Sequence, residues 1–94
     1  MENIEVKNDE GKQQFAADVD GKKAFIDYKK QNDGTLNLLH TEVPPEFEGK
    51  GIGSQLVKQT LEQIKAEGAK IIPSCRFVAA YIKRHKEYES LIAD

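Results

Sequence analysis

Apolar side chains recur at every second position in the first half of the chain and at helical spacing in the second. Ile4 and Val6 alternate with charged neighbours and lead into Asn8-Asp9-Glu10-Gly11, a turn sequence. Phe15, Ala17 and Val19 then alternate up to Asp20-Gly21, a pair suited to a type I′ hairpin because both central residues of that turn need positive φ. The returning strand puts Ala24, Ile26 and Tyr28 on one face. Asn32-Asp33-Gly34 turns the chain again, and Thr35 to Val43 carries Leu36, Leu38 and Leu39. About four strands joined by tight turns predict an antiparallel meander. Pro44-Pro45 ends it, since proline has no N–H to give to a sheet ladder.

Past Gly51 the period changes. Leu56, Val57, Leu61 and Ile64 form one helical stripe opposite Lys58, Glu62 and Lys65, and Gly68 stands where a helix C′ glycine belongs. Ala69 to Ile72 is a short apolar strand closed by Pro73. Ser74 is the expected N-cap of a second helix whose inner face is Phe77, Val78, Tyr81 and Ile82. A last helical turn carries Tyr88, Leu91 and Ile92. Leu36 to Ile72 therefore spells strand, glycine loop, helix and strand, which is long enough for a βαβ crossover to a parallel partner. The predicted class is α/β with a mixed sheet. Parallel neighbours end on one edge, and ligands of open α/β sheets bind outside those ends. His40 to Val43 and Pro73 to Arg76 are thus predicted to line one crevice.

With 94 residues, 38% of them hydrophobic, the chain is read as a single domain over 1–94. A net charge of -2 argues against nucleic acid or an anionic membrane as partner. One cysteine makes no internal disulfide, and the N-terminus shows no signal-peptide pattern, so the expected location is cytoplasmic. Cys75, His40 and His85 have no metal-ligand spacing, and no metal is expected.

Glu48-Gly49-Lys50-Gly51-Ile52-Gly53-Ser54 carries the most chemistry. Glycines at alternate positions before a helix let backbone approach a ligand, and the first helical N–H groups then point at an anion. No Gly-Lys-Ser/Thr closes the segment as in a Walker A loop. Ser54 also stands where the dinucleotide fingerprint needs its last glycine. The segment instead resembles the pyrophosphate loop of the GNAT-type N-acetyltransferases: Gln or Arg, two residues, Gly, any residue, then Gly or Ala. Gly51 and Gly53 match, and Glu48 departs from Gln/Arg. Family members carry an Asn seven positions before a Tyr-x-Lys; here Ser74 replaces the Asn and Tyr81-Ile82-Lys83 matches. The likeness covers Leu36 to Lys83. His40-Thr41-Glu42-Val43-Pro44 and Pro73-Ser74-Cys75-Arg76-Phe77-Val78 are similar to segments of the short acetyl-CoA-binding GNAT-like proteins, which have a minimal core.

The resemblance implies a GNAT-like fold and acetyl-CoA as the coenzyme. Pantetheine would pair with backbone at Leu39, Thr41, Glu42 and Val43, and the pyrophosphate would rest on Gly49, Lys50, Gly51, Ile52, Gly53 and Ser54. Ser74, Arg76 and Phe77 would complete the coenzyme contacts, and Tyr81 matches the tyrosine that can protonate the coenzyme thiolate. Longer relatives have two helices after the first strand and a final hairpin that shape the acceptor site. This chain has a turn in the first place and ends before the second, so the amine or protein acceptor is not identified.

The residues themselves add candidates. Cys75 falls at a helix start, where the dipole favours a thiolate able to take an acetyl group from a thioester. The other reading is a small buried packing residue. By strict alternation His40 shares a face with Leu36 and Leu38, which makes it the expected base for Cys75 or an amine, with Glu42 as rival. Arg76, Lys83, Arg84 and Lys86 either hold the coenzyme's ribose phosphate or form a solvated face. The leading expectation is an acetyl-CoA-dependent N-acetyltransferase acting through Cys75 with His40 as base. The alternative is a non-catalytic acetyl-CoA-binding or sensing module. A weak homodimer, completing so small a site, is a further expectation.

Overall fold

The computed structural model describes residues 3–93 and contains one five-stranded sheet in the order β1-β2-β3-β4-β5. The strands are β1 (Lys7–Asp9), β2 (Gln14–Val19), β3 (Lys22–Lys30), β4 (Leu36–Glu42) and β5 (Ile71–Pro73). The first four form the expected antiparallel meander, and β5 joins β4 in parallel through helix α1 (Ile52–Ala66). Asp20 and Gly21 take φ of 49° and 80°, as the hairpin sequence requires. Helix α2 (Arg76–Arg84) follows β5, and a 3₁₀ turn over Lys86–Leu91 closes the chain.

Both helices pack on the sheet face carrying Phe15, Ala17, Val19, Ala24, Ile26, Tyr28, Leu36 and Leu38. Helix α1 contributes Ile52, Leu56, Val57, Leu61 and Ile64, and α2 contributes Val78, Tyr81 and Ile82. Leu56 and Leu61 are fully buried, each contributing about 1.5–3 kcal/mol by leaving water. Gly68 (φ 74°) ends α1 as expected. Its N–H donates to Lys65 C=O and that of Ala69 to Ile64 C=O, the paired bonds of a Schellman cap. No helix among the described residues is long and apolar enough to cross a membrane.

The N-terminus departs from the alternation. Strand β1 begins at Lys7, within and just before the expected turn, and Ile4 to Val6 pair with a helix instead of a strand. Gln55, Gln59 and Gln63, four residues apart on α1, form a ladder of amides. Ile4 N–H donates to Gln55 Oε1 (3.3 Å) and Val6 N–H to Gln59 Oε1 (3.0 Å). Gln59 Nε2 donates to Ile4 C=O (2.8 Å) and Gln63 Nε2 to Val6 C=O (2.7 Å). Side-chain amides thus do the work of a neighbouring strand, so alternation persists without a sheet partner.

A second departure bears on the site. Asp27 pairs with His40 but Tyr28 with Leu38, so Leu39 is the extra residue of a β-bulge. One extra residue reverses which side the later side chains face. Thr41, opposite Ile26, lies on the helix side, while His40 and Glu42 lie on the uncovered side opposite Asp27 and Phe25.

Candidate functional site

Only Leu36 to Leu38 of β4 pair with β5; beyond Pro73 the two parallel strands part. Cys75 N–H still donates to Leu38 C=O (2.9 Å), which holds the start of α2 against the parting β4. Cys75, not Ser74, is the N-cap residue of α2, and no side chain caps that end. Ser74 Oγ donates instead to Asn37 Oδ1 of β4 (2.6 Å). The expected Ser74 cap is corrected because that hydroxyl is already tied to the sheet. Cys75 is buried, with its Sγ 3.1 Å from Thr41 Oγ1.

Where the strands part, a crevice of about 230 Å³ opens between Thr41, Val43, Phe47, Glu48, Gly49, Gly53 and Phe77. Its rim is built by Pro44-Pro45, which start a 3₁₀ turn over Pro45–Phe47. Glu46 in that turn forms an ion pair with Lys22 at the start of β3, and the ammonium holds the Glu46 carboxyl below its ordinary range. The turn continues through Lys50, whose N–H donates to Phe47 C=O (3.3 Å). The expectation that Lys50 offers its backbone to a ligand is therefore corrected: that N–H is already used, and the exposed side chain is what remains.

The next donors differ. Gln55 N–H is the first in α1 to find a helical acceptor, Gly51 C=O at 3.1 Å. Among the described residues no acceptor takes the N–H of Gly51, Ile52, Gly53 or Ser54, and no side chain caps this end. Gly51 is left-handed (φ 80°), a conformation that other residues adopt at a cost. Gly53 is needed for another reason. A Cβ there would stand 2.6 Å from Phe77 Cζ, so the ring of Phe77 rests directly on the glycine. Phe77 is thereby corrected from an inner-face residue to a 43% exposed one that lines the crevice.

The bulge corrects the placement of His40. Its ring lies edge-on to Phe25 on the uncovered sheet face, with Nε2 3.3 Å from Glu42 Oε1. Thr41 stands beside Cys75 in its place. The sequence offered Thr41 only as backbone for the coenzyme and not as a side chain beside Cys75, yet the Leu38-Leu39 doublet carried a signal: two large apolar residues in succession break period two, as a bulge does.

Tyr81 is not among the residues lining the crevice. Its ring stacks on His85 with centroids 4.0 Å apart and lies 6.1 Å from Tyr88, whose hydroxyl donates to Glu62 Oε2 (2.6 Å). Burial raises the Tyr81 phenol above its ordinary value, and the carboxylates of Glu87 and Glu62 add to that rise. Helix α2 ends at Arg84, leaving His85 as its C-cap, and Ile92 is exposed beside Ile71 at the sheet edge. Arg76, Lys83, Arg84 and Lys86 are all exposed.

The profile of the GCN5-related N-acetyl-transferase family matches residues 14–91. Over 84 residues the chain is 31% identical to Protein NATD1 of Xenopus tropicalis, covering 87% of this chain and 77% of that protein. It is 30% identical to Protein NATD1 of Homo sapiens over 84 residues, covering 87% and 74%. Among solved structures, a GCN5-like chain from Staphylococcus aureus superposes with a TM-score of 0.71 at 29% identity. That match covers 99% of this chain and 91% of the other.

Proposed function

The chain belongs to the GCN5-related N-acetyltransferase family, and from that membership we propose that it binds acetyl-CoA and passes the acetyl group to an amine. One observation carries the reading: successive N–H groups at the start of α1 have no acceptor among the described residues, beside the crevice where β4 and β5 part. Free donors at the positive end of a helix suit a diphosphate. Gly51, Ile52, Gly53 and Ser54 supply them in this reading, with the Lys50 ammonium adding charge. The Glu48 carboxylate opposes a diphosphate, so backbone and not the side chain at that position does the holding. Apolar walls at Val43, Phe47 and Phe77 suit a pantetheine arm, and the edge of β4 from Leu39 to Val43 offers it backbone groups. Ser74, Arg76 and Gly49 flank the same path.

Cys75 is the acetyl carrier in this scheme. Its sulfur bonds to the acetyl carbon as the thioester C–S bond breaks, and its proton leaves with the coenzyme thiol. The acceptor nitrogen then bonds to the acetyl carbon as the Cys75 S–C bond breaks, and the proton the nitrogen loses passes to the sulfur, restoring the thiol. Thr41 Oγ1 orients the sulfur from 3.1 Å. His40, paired with Glu42 on the uncovered face of β4, lies across the sheet from Cys75 and takes no part in this transfer. Tyr81 keeps a packing role.

A second reading, a module that binds acetyl-CoA without transferring it, is favoured by the burial of Cys75 and by the enclosure of Tyr81 away from the crevice. Titration with acetyl-CoA, followed by amide shifts of Gly51 to Ser54 and by intact mass, separates the two. Shifted amides with one added acetyl group, absent in Cys75→Ser, support transfer. Shifted amides without added mass support the module, and unmoved amides sink both.

A further inference from the structure

We propose that Phe77 is the gate between the crevice and the Cys75 thiol: seated on Gly53 it closes the path to the sulfur, and a ligand reaches the sulfur by turning the ring aside. Its purpose as a gate rests on the acyl-transfer reading above, whereas the access it controls is a property of the chain alone.

Three large hydrophobic side chains are exposed among the described residues: Leu39, Phe77 and Ile92. Leu39 is pushed out by the bulge, and Ile92 sits at the sheet edge beside Ile71. Phe77 has no such account. It is the second residue of α2, with one side of its ring in solvent and the other so close to Gly53 that no side chain fits between them. Cys75 is only 7% exposed and does not line the crevice, although Thr41, in contact with its sulfur, and Phe77 both do. A path from the crevice to the sulfur therefore runs between Thr41 and Phe77. Thr41 is β-branched and fixed by the pairing of β4 with Ile26, so it has little rotamer freedom. Phe77 stands on the first turn of a helix with much of its surface free, and it is the side that moves.

The test is alkylation of the native chain by iodoacetamide, read by intact mass below the onset of unfolding. The sulfur displaces iodide, and the chain has a single cysteine, so the added mass reports Cys75 alone. The labelling rate scales with the fraction of molecules whose path is open, so a gate open about a tenth of the time makes Phe77→Ala roughly tenfold faster. Phe77→Leu keeps an apolar side chain for folding but is too short to cover Gly53, and it labels fast as well. Gly53→Ala leaves the ring intact and pushes it off its seat, so it also labels faster, whereas Phe77→Trp restores slow labelling. Parental rates in Phe77→Ala and Phe77→Leu, or slow labelling in a folded Gly53→Ala, overturn the gate. Neither result depends on acetyl-CoA. Fast labelling in a chain that binds no acetyl-CoA keeps the gate and removes the acyl-transfer reading, and unchanged labelling in a chain that transfers acetyl does the reverse.

Discussion

Replacing Gln59 by glutamate turns one donor of the amide ladder into an acceptor and leaves the rest of the molecule alone. The Gln59 amide accepts from Val6 N–H and donates to Ile4 C=O. A carboxylate keeps the first bond and loses the second, and it sets a negative oxygen against the Ile4 carbonyl in a partly buried place. The lost bond is worth about 1 kcal/mol, and the stranded acceptor adds about 1–2 kcal/mol, so Gln59→Glu should lose roughly 2–3 kcal/mol at neutral pH. In a domain of this length each kcal/mol lowers the melting midpoint by about 4–8 °C. Acid reverses the change, because a protonated carboxyl has one donor and one acceptor, as the amide does. The folded chain therefore raises the pKa of this carboxyl above its unfolded value of about 4.3. The stability specific to the acid form is complete below that value and is lost as pH rises through the folded one. Urea unfolding of variant and parent across acid and neutral pH measures the gap. Taking the difference at each pH cancels Asp33 and Glu46, whose lowered carboxyls make both chains less stable as pH falls. A gap that is equal at both pH extremes would refute the ladder. So would a Gln59→Ala chain in which the Val6 amide exchanges with solvent no faster than in the parent.

Thr60 is fully buried and its hydroxyl has no partner among the described residues, so Thr60→Val should gain about 1 kcal/mol in urea unfolding; a loss would reveal a bond to that oxygen. Tyr28, Tyr81 and Tyr88 all have phenols raised above the ordinary 10.0, chiefly by burial. Stability should therefore hold up to about pH 10 and fall above it, where the unfolded chain releases these protons first; phenolate absorbance should appear together with unfolding. Lys22→Ala should return the Glu46 carboxyl toward its ordinary value, seen as a higher midpoint in an NMR pH titration. An unmoved midpoint would mean that Lys22 does not hold this turn in solution.

Most of the architecture was legible because it depends on periodicity and turn chemistry, both local properties of the chain. Asp20-Gly21, Pro44-Pro45 and Gly68 each mark a junction through their own backbone requirements, and each junction falls where the sequence puts it. The parallel partnership of β4 and β5 followed from the length between them. The fine placement of side chains was harder, because it is set by partners far along the chain. Alternation at Ile4 and Val6 signals an extended segment but does not say whether a strand or a row of glutamines satisfies it. The bulge at Leu39 exists only in the register between β3 and β4, so His40 reads as a crevice residue until that register is known. Phe77 falls at helical spacing with the core, and only its contact with Gly53 turns it outward into the crevice.

Leu39 also says something about how such a chain can change. Deleting that single codon would leave the imidazole outside and the threonine hydroxyl facing the helices, because Leu39 is the residue of the bulge that has no partner on β3. A family built on this strand can gain or lose a residue here while both surfaces keep their chemistry, a change of length that comparing substitutions column by column would overlook.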